Sequence, residues 1–295
     1  MKQIKVNRSR KAAKPWRKVE AKAINVQKAV PLIVSSTYSR ESFIEDLVSR
    51  KYRKIVFLVG AGISVAAGIP DFRSPGTGLY WQLRDVLACP EDIFSLDCFE
   101  DDPKPFFQLA KQLIYDHAQP VKAHRFMKLC ESKKLIHMVY TQNIDGLELL
   151  AGIPPKKVMQ AHGHMRSAHC IKCRKLYPID SFVEYAQREE IMYCVKCQHL
   201  VKPDIIFFGE HVNFSSQIAK ISTADLIVVM GTSLQVKPFS ELLKLVSPEV
   251  PLVMVNRDLP RSLPPRSNFL FLQGDIEEEV DKLCADVGWD LNIPE

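Results

Sequence analysis

The apolar run Ile55-Val56-Phe57-Leu58-Val59 stops at Gly60, meets a second glycine at Gly62, and continues into Ser64-Val65-Ala66-Ala67. A short β-branched and aromatic run reads as a buried parallel strand, and the small residues beyond it can open a helix. Strand, glycine turn and helix in that order commit the stretch to a βα unit whose turn N–H groups and helix N-terminus can face a pyrophosphate. Gly60 and Gly62 are expected to supply positive φ and close backbone approach. The match to Gly-x-Gly-x-x-Gly is incomplete, because Val65 stands where the third glycine belongs. On this stretch alone, a plain tight turn remains open.

Two cysteine pairs, Cys170-x-x-Cys173 and Cys194-x-x-Cys197, lie twenty residues apart. Four thiolates so spaced can close a tetrahedral site, the arrangement of structural zinc, with a redox dithiol or an iron-sulfur cluster as alternatives; catalytic zinc keeps one position open for water. Cys89, Cys98, Cys130 and Cys284 are scattered and read as small buried hydrophobes, which points to a reducing, intracellular setting.

Apolar patterning places helices at 41–51, 90–99, 103–118, 121–132 and 276–287, and strands at 55–59, 135–141, 204–208, 226–230, 252–255 and 269–272. Alternation of this kind implies an α/β fold, a doubly wound parallel-sheet Rossmann-like domain. The smaller helical and zinc-binding module is then built from two insertions. The expected boundaries are a basic tail at 1–40, the sheet domain at 41–76, 133–166 and 203–295, a helical insertion at 77–132 and a zinc-binding insertion at 167–202.

The net charge of +6 is uneven, for residues 1–28 hold ten Lys or Arg against Glu20 alone, leaving 30 basic and 33 acidic residues elsewhere. Such a tail can be a solvated arm, a matrix-targeting segment, a nuclear import signal or a nucleic-acid contact, so mitochondrial matrix, cytoplasm and nucleus all stay open. No apolar stretch approaches the ~20 residues of a membrane span, so no membrane association is expected.

The loops after the expected strands are rich in polar and small residues. They are Gln142-Asn143-Ile144-Asp145 after one, Gly231-Thr232-Ser233 after another, Asn256-Arg257 after a third and Gly274-Asp275 after the last. Each alone is a turn or helix cap; together with the Gly60 turn they line one edge of the sheet, as a dinucleotide cradle requires. The acidic ribose hook of the dehydrogenases is missing about 20 residues beyond the glycines, which argues against hydride transfer. His162, beside Gly163, is the candidate general base.

The ordered motifs GAGIS, GIPDFRS, TQNIDGL, His162-Gly163, both cysteine pairs, VKPDIIFFGE and GTSLQV resemble the sirtuin family of NAD-dependent protein deacylases over roughly 43–289. SPGTGLYWQL and PKPFFQLAK resemble its deacetylase branch, which includes mitochondrial and cytoplasmic animal enzymes. The resemblance implies NAD as a consumed co-substrate, structural Zn2+, acetylated protein substrates, and acetyl transfer from lysine to ADP-ribose with release of nicotinamide.

By the same resemblance, Gly60, Ala61, Gly62, Ser64, Asp71, Phe72 and Arg73 hold the diphosphate and nicotinamide side. Gln142, Asn143, Ile144 and Asp145 order the ribose and nicotinamide pocket, with Asn143 and Asp145 joining His162 in catalysis. Gly231, Thr232, Ser233, Asn256, Arg257 and Asp275 take the adenosine half. Ile206 and Phe208 wall the acyl-lysine tunnel, and Gly209, Glu210, Gln235 and Val236 pair with the substrate backbone. Departures from the family pattern at His164, His211-Val212-Asn213 and Lys237 bear on peptide preference. Residues 106–111 lack the Tyr-x-x-Arg pair of the desuccinylase branch, which favours neutral acyl chains. Alternatives are ADP-ribosyl transfer, long-chain deacylation, and a zinc-ribbon chromatin-binding module with an NAD-sensing site.

Overall fold

The computed structural model describes residues 38–84, 89–115, 117–212 and 217–291, so the basic segment 1–28 and nearly all of the expected tail lie outside them. Among the described residues nine strands follow in chain order: β1 Ile55–Val59, β2 Ile136–Thr141, β3 Val158–Gln160, β4 Gly163–Cys170, β5 Leu176–Pro178, β6 Val201–Ile205, β7 Leu226–Met230, β8 Leu252–Asn256 and β9 Phe269–Gln273. Six form a parallel sheet of order β3-β2-β1-β7-β8-β9. The chain starts at the centre, winds outward to β3, then returns to β7 on the other side of β1. The strand order therefore reverses between β1 and β7, and in open α/β sheets a ligand crevice lies beyond the carboxyl ends at such a point.

Burial explains why these strands are continuous apolar runs. Every residue of β1, β7 and β8 is buried, because helices cover both faces of the sheet. Alternate side chains serve opposite layers: Phe57, Val139, Val228 and Val253 pack on one face with helices Lys122–Ser132 and Ile276–Asp286, while Val56, Leu58, Met138 and Ile227 face Ile221, Phe239 and Leu242. Helix Arg40–Val48 is capped by the Ser39 hydroxyl, which accepts from the Ser42 N–H, and anchors through Phe43 and Leu47.

Three expectations need correction. The strand expected at 204–208 is β6, which starts three residues earlier at Val201 and stops at Ile205, three residues before Phe208, and it joins a separate antiparallel sheet of order β5-β4-β6. Pro203, paired with Ala168, cannot donate to a central ladder, whereas an edge strand tolerates it. The segment after β1 is a 3-10 helix, Ala61–Ala67, and Gly60 before it is extended at φ −144° rather than left-handed. The helix expected over 103–118 is Lys104–Ala110 followed by a single 3-10 turn, Lys111–Leu113.

The smaller sheet shares a core with helices Leu96–Asp101, Lys104–Ala110 and Ile179–Gln187. Phe99, Phe106 and Phe207 meet edge to face with ring centroids 4.9 to 5.4 Å apart, and Phe182 sits 5.3 Å from Phe107. Each fully buried phenylalanine contributes roughly 1.5–3 kcal/mol, so this cluster binds sequence-distant segments into one body.

At the far end of that sheet, Cys170, Cys173, Cys194 and Cys197 bring all four sulfurs within 4.8 Å of one another. The Cys170–Cys197 and Cys173–Cys194 sulfur separations are 3.4 and 3.6 Å, close to the S···S edge of about 3.8 Å that a tetrahedron with Zn–S of about 2.3 Å requires. Donors to sulfur favour thiolates: Tyr177 Oη lies 3.1 Å from Cys194 Sγ, the Lys196 N–H 3.4 Å from the same sulfur, and the Cys173 N–H 3.5 Å from Cys170 Sγ. The four cysteines fit structural Zn2+, whose binding energy, on the order of 10 kcal/mol in small zinc domains, is folding energy. Chelation, or Cys194→Ser, is expected to lower the thermal midpoint by more than ten degrees and to cause precipitation; a metal-free protein with an unchanged midpoint and full activity would contradict the assignment.

Candidate active site

The carboxyl ends of β1 and β7 touch at glycines. The Gly62 N–H donates to Gly231 O at 2.9 Å and the Gly60 N–H to Met230 O at 3.1 Å. A Cβ on Gly62 would lie 2.6 Å from Gly231 Cα, and one on Gly231 would lie 2.5 Å from the Ile63 nitrogen. Gly231 is also left-handed at φ +64°. Close approach is thus what these glycines supply, and it leaves the turn open on the solvent side.

That opening is a cavity of about 480 Å3. Ala61, Gly62, Asp71, Phe72 and Arg73 form one wall. Gly231, Thr232, Ser233, Asn256, Arg257 and Asp275 form another. Several of these side chains hold the cradle rather than face the space. Thr232 Oγ1 donates to Gln142 Oε1 at 2.5 Å, and Asn256 Nδ2 donates to Thr232 O at 2.7 Å. Asp275 caps Ile276–Asp286 by accepting from the N–H groups of Glu277 and Glu278. Asp71 accepts from the Arg73 and Ser74 N–H groups and from the Ser74 hydroxyl, which folds the 71–78 loop over the cavity. Arg73 lies 5.3 Å over the Tyr80 ring. Arg73, Arg257 and Arg261 put three cations on the lining, which suits a diphosphate.

A second cavity of about 200 Å3 adjoins it and shares Phe72, Gln142 and Val236. Ile144, His162, Ile206, Phe208, Gly209 and Glu210 line it. Gln235 belongs to the first cavity and Val236 to both. Tyr80 and Phe94, which spacing alone did not single out, complete its apolar wall; they cluster with Phe72 at 5.5 and 6.0 Å. They sit in two separate helices of the insertion, Leu79–Leu83 and Pro90–Phe94, so no local pattern marks them as lining.

His162 stands in this second cavity, its backbone fixed by the Ile206 N–H donating to its carbonyl at 2.8 Å. Burial pushes its imidazole down to about 4, with Arg73 adding to that effect and a backbone hydrogen bond at Gln142 opposing it. The ring is therefore neutral, with a lone pair free, at every pH near neutrality.

Gly60, Ser64, Asn143 and Asp145 stand behind the cavity walls. Asn143 and Ser64 are buried. Asn143 Nδ2 reaches Gly60 O at 3.3 Å and Ser64 Oγ at 3.2 Å, and the Ser64 hydroxyl donates to Asp145 at 2.8 Å. Burial raises the Asp145 carboxyl, while the Leu147 N–H and the Ser64 hydroxyl pull the other way. These three side chains lash the β2 loop to the Gly60 turn.

Glu210 also turns inward. Its Oε2 accepts from the Phe207 N–H at 2.8 Å and lies 2.9 Å from Lys202 Nζ. Lys202 is buried and further donates to Ile205 O at 2.6 Å. Removing one partner of such a pair costs roughly 3–5 kcal/mol, so the 206–210 loop is pinned from beneath. Phe208 pairs with the helical insertion, its N–H donating to Phe94 O and its carbonyl accepting from the Leu96 N–H.

Residues 60–238 match the family model described as Sir2 family. The chain is 42% identical to the NAD-dependent protein deacetylase sirtuin-3 of Mus musculus over 85% of its own length and 77% of that protein. It is 41% identical to the NAD-dependent protein deacetylase sirtuin-2 of Danio rerio, covering 84% and 67%, and 40% identical to the NAD-dependent protein deacetylase hst2-2 of Emericella nidulans, covering 86% and 73%. With a glycine cradle at the switch point, a four-cysteine cluster and identity at this level over most of its length, the chain belongs to the Sir2 family.

Proposed function

We propose that this protein is an NAD-dependent protein-lysine deacetylase, and the observation that carries the reading is a neutral, half-buried His162 where an apolar tunnel adjoins a polar, arginine-lined cradle. The names of its relatives support the same activity. NAD, when bound, supplies a ribose carbon that accepts the acyl oxygen as nicotinamide leaves. The chain's own residues do the rest.

Gly62, Ala61, Arg73 and Arg257 hold the diphosphate, while Thr232, Ser233, Asn256 and Asp275 shape the adenosine end. Gln142 lines both cavities and so orients the ribose between them. His162, which lines the second cavity, would take the proton from a ribose hydroxyl when NAD is bound. Asn143 and Asp145 serve by fixing the loop that carries Gln142 and Ile144. The rings of Phe72, Tyr80 and Phe94 keep water from the reacting carbon, where it would hydrolyse NAD unproductively.

An acetyl-lysine enters past Ile206 and Phe208. Because Phe208 has spent its backbone groups on Phe94 and Leu96, an added peptide strand pairs with Gly209 and Glu210 on one side and with Gln235 and Val236 on the other. Lys237 flanks that groove at 75% exposure and contacts Glu241 at 3.3 Å, a pairing worth at most about 1 kcal/mol. The groove mouth therefore keeps a cation that disfavours lysine-rich sequences. Among the described residues no helix is long and apolar enough to cross a membrane.

Mass spectrometry of an acetyl-lysine peptide is expected to show loss of acetyl only with NAD, appearance of acetyl-ADP-ribose, and a loss of at least a hundredfold in rate for His162→Tyr. Loss of NAD with the acetyl retained would move the assignment to ADP-ribosyl transfer or to longer acyl chains, and binding without turnover would favour the sensing module. His162 must be unprotonated to act, and it is neutral above about pH 4. The acid limb of kcat/KM, which reports the free enzyme, should accordingly lie well below pH 6, and a limb centred at an ordinary histidine value would contradict the depressed imidazole. Lys237→Glu should raise kcat/KM severalfold for peptides with lysine-rich flanks and lower it for acidic ones; identical rankings for both forms would remove Lys237 from specificity.

A further inference from the structure

Behind the loop that carries Asn143 and Asp145 lies a cluster that the proposed chemistry leaves unused. His124, on helix Lys122–Ser132, and Glu148, on helix Leu147–Leu150, are both fully buried. A ring nitrogen of His124 and one carboxylate oxygen each from Asp145 and Glu148 lie within 4.8 Å of one another. His124 Nε2 and both Glu148 oxygens have no hydrogen-bond partner in this arrangement. A carboxylate stripped of water and of donors is among the costliest groups to bury, so this one must be closed by a proton or by a cation.

The histidine tautomer decides between them. The Val121 N–H donates to His124 Nδ1 at 3.3 Å, so the ring hydrogen is on Nε2 and points its donor at the carboxylates. A cation on Nε2 would require the hydrogen on Nδ1, facing the Val121 N–H. A proton remains, and two carboxyl groups this close in a dry interior cannot both ionise. The groups facing Glu148 are Asp145 from its own loop, His124 from the adjoining helix and the Thr141 hydroxyl of β2. Tyr115 faces Asp145 and stays protonated, pushed up to about 12 by burial.

We propose that Glu148 carries a proton at neutral pH, and that His124 and Glu148 are positioning residues for the nicotinamide side of the site. With that proton in place, His124 Nε2–H would close on one Glu148 oxygen and the Glu148 O–H on Asp145, groups that lie within 4.8 Å of one another without being hydrogen-bonded in this arrangement. Asp145 in turn accepts from the Ser64 hydroxyl and the Leu147 N–H, so the order of the cluster reaches Asn143 and the Gly60 turn. Burial, with the Asp145 charge adding to it, pushes the Glu148 carboxyl up to about 8, and burial pushes His124 down to about 4, consistent with an uncharged histidine beside an uncharged acid. Once Glu148 ionises, a second negative charge opposes Asp145 and loosens the link to Ser64.

The functional consequence rests on the deacetylase reading, but the proton itself can be tested without turnover. Gln is the isostere of the protonated acid, its carbonyl accepting from His124 and its amide donating to Asp145. The infrared difference between the zinc-loaded wild type and Glu148→Gln should contain a protonated-carboxyl band at pH 7 that titrates away near pH 8. Because the native state holds one proton more than the unfolded chain between the ordinary glutamate value and about 8, the wild type should lose thermal stability relative to Glu148→Gln as pH rises through that window, and not outside it. In turnover, wild-type kcat/KM for NAD should fall tenfold above about pH 8 while KM for peptide stays level, and the fall should be absent in Glu148→Gln.

Absence of the band, superimposable pH profiles, or a second metal ion per chain that Glu148→Gln removes would each overturn the proposal. Should Glu148→Gln not fold, His124→Gln, which keeps a donor, and His124→Leu, which does not, carry the test. Only the second should raise KM for NAD tenfold, and equal effects would overturn the positioning role. An intact band in a protein without deacetylase activity would sink the functional reading alone.

Discussion

The contact between Gly62 and Gly231 organises everything else. Two parallel strands can stand side by side with many residue types along their length, but at their carboxyl ends the chain must turn, and here both turns press backbone on backbone. Side chains on either residue would meet main-chain atoms at 2.5 to 2.6 Å, a separation that only backbone displacement could relieve. Holding the ends of β1 and β7 together sets the depth of the crevice and leaves its outer lip free for arginines. The same contact aims the β2 loop, since Asn143 reaches Gly60 and Ser64 from the other side.

The division of labour within the site follows from burial. Residues that face the cavities, such as Arg73, Arg257, Gln142 and His162, are held in place by others, some of them lining residues too, whose polar groups are already engaged. Asp71, Asn143, Asp145, Asp275 and Glu210 each spend their oxygens or amides on nearby backbone or side-chain groups. Precise placement of a reacting group costs conformational entropy, and here that cost is met before substrate arrives. The aromatic cluster plays the matching role for the tunnel. Phe207 packs into the small module's core while Phe208, the next residue, is 45% exposed at the tunnel, so one strand end couples the zinc-bearing body to the groove.

Much of this was legible in the chain itself. The strands at Ile55–Val59 and Leu226–Met230 announce themselves because a sheet buried on both faces needs unbroken apolar runs, and the cysteine pairs because a tetrahedral thiolate site has few other spacings. What stayed hidden has physical reasons. β6 looks like one more core strand until Pro203 is seen at an edge. Tyr80 and Phe94 become lining residues only through packing against Phe72 across sequence-distant segments. Gly60 invites a left-handed turn, yet its role is to let neighbouring atoms approach. His124 and Glu148 carry no motif of their own, because a buried proton leaves no trace in periodicity or composition.

The central claim is that a dry tunnel and a nucleotide cradle meet at His162, so NAD chemistry should be tied to the presence of an acyl-lysine. The direct measurement is the ratio of nicotinamide released to lysine freed, taken with and without an acetyl-lysine peptide. The account predicts one nicotinamide per lysine and almost none without peptide. Nicotinamide released at a comparable rate in the absence of peptide would contradict it.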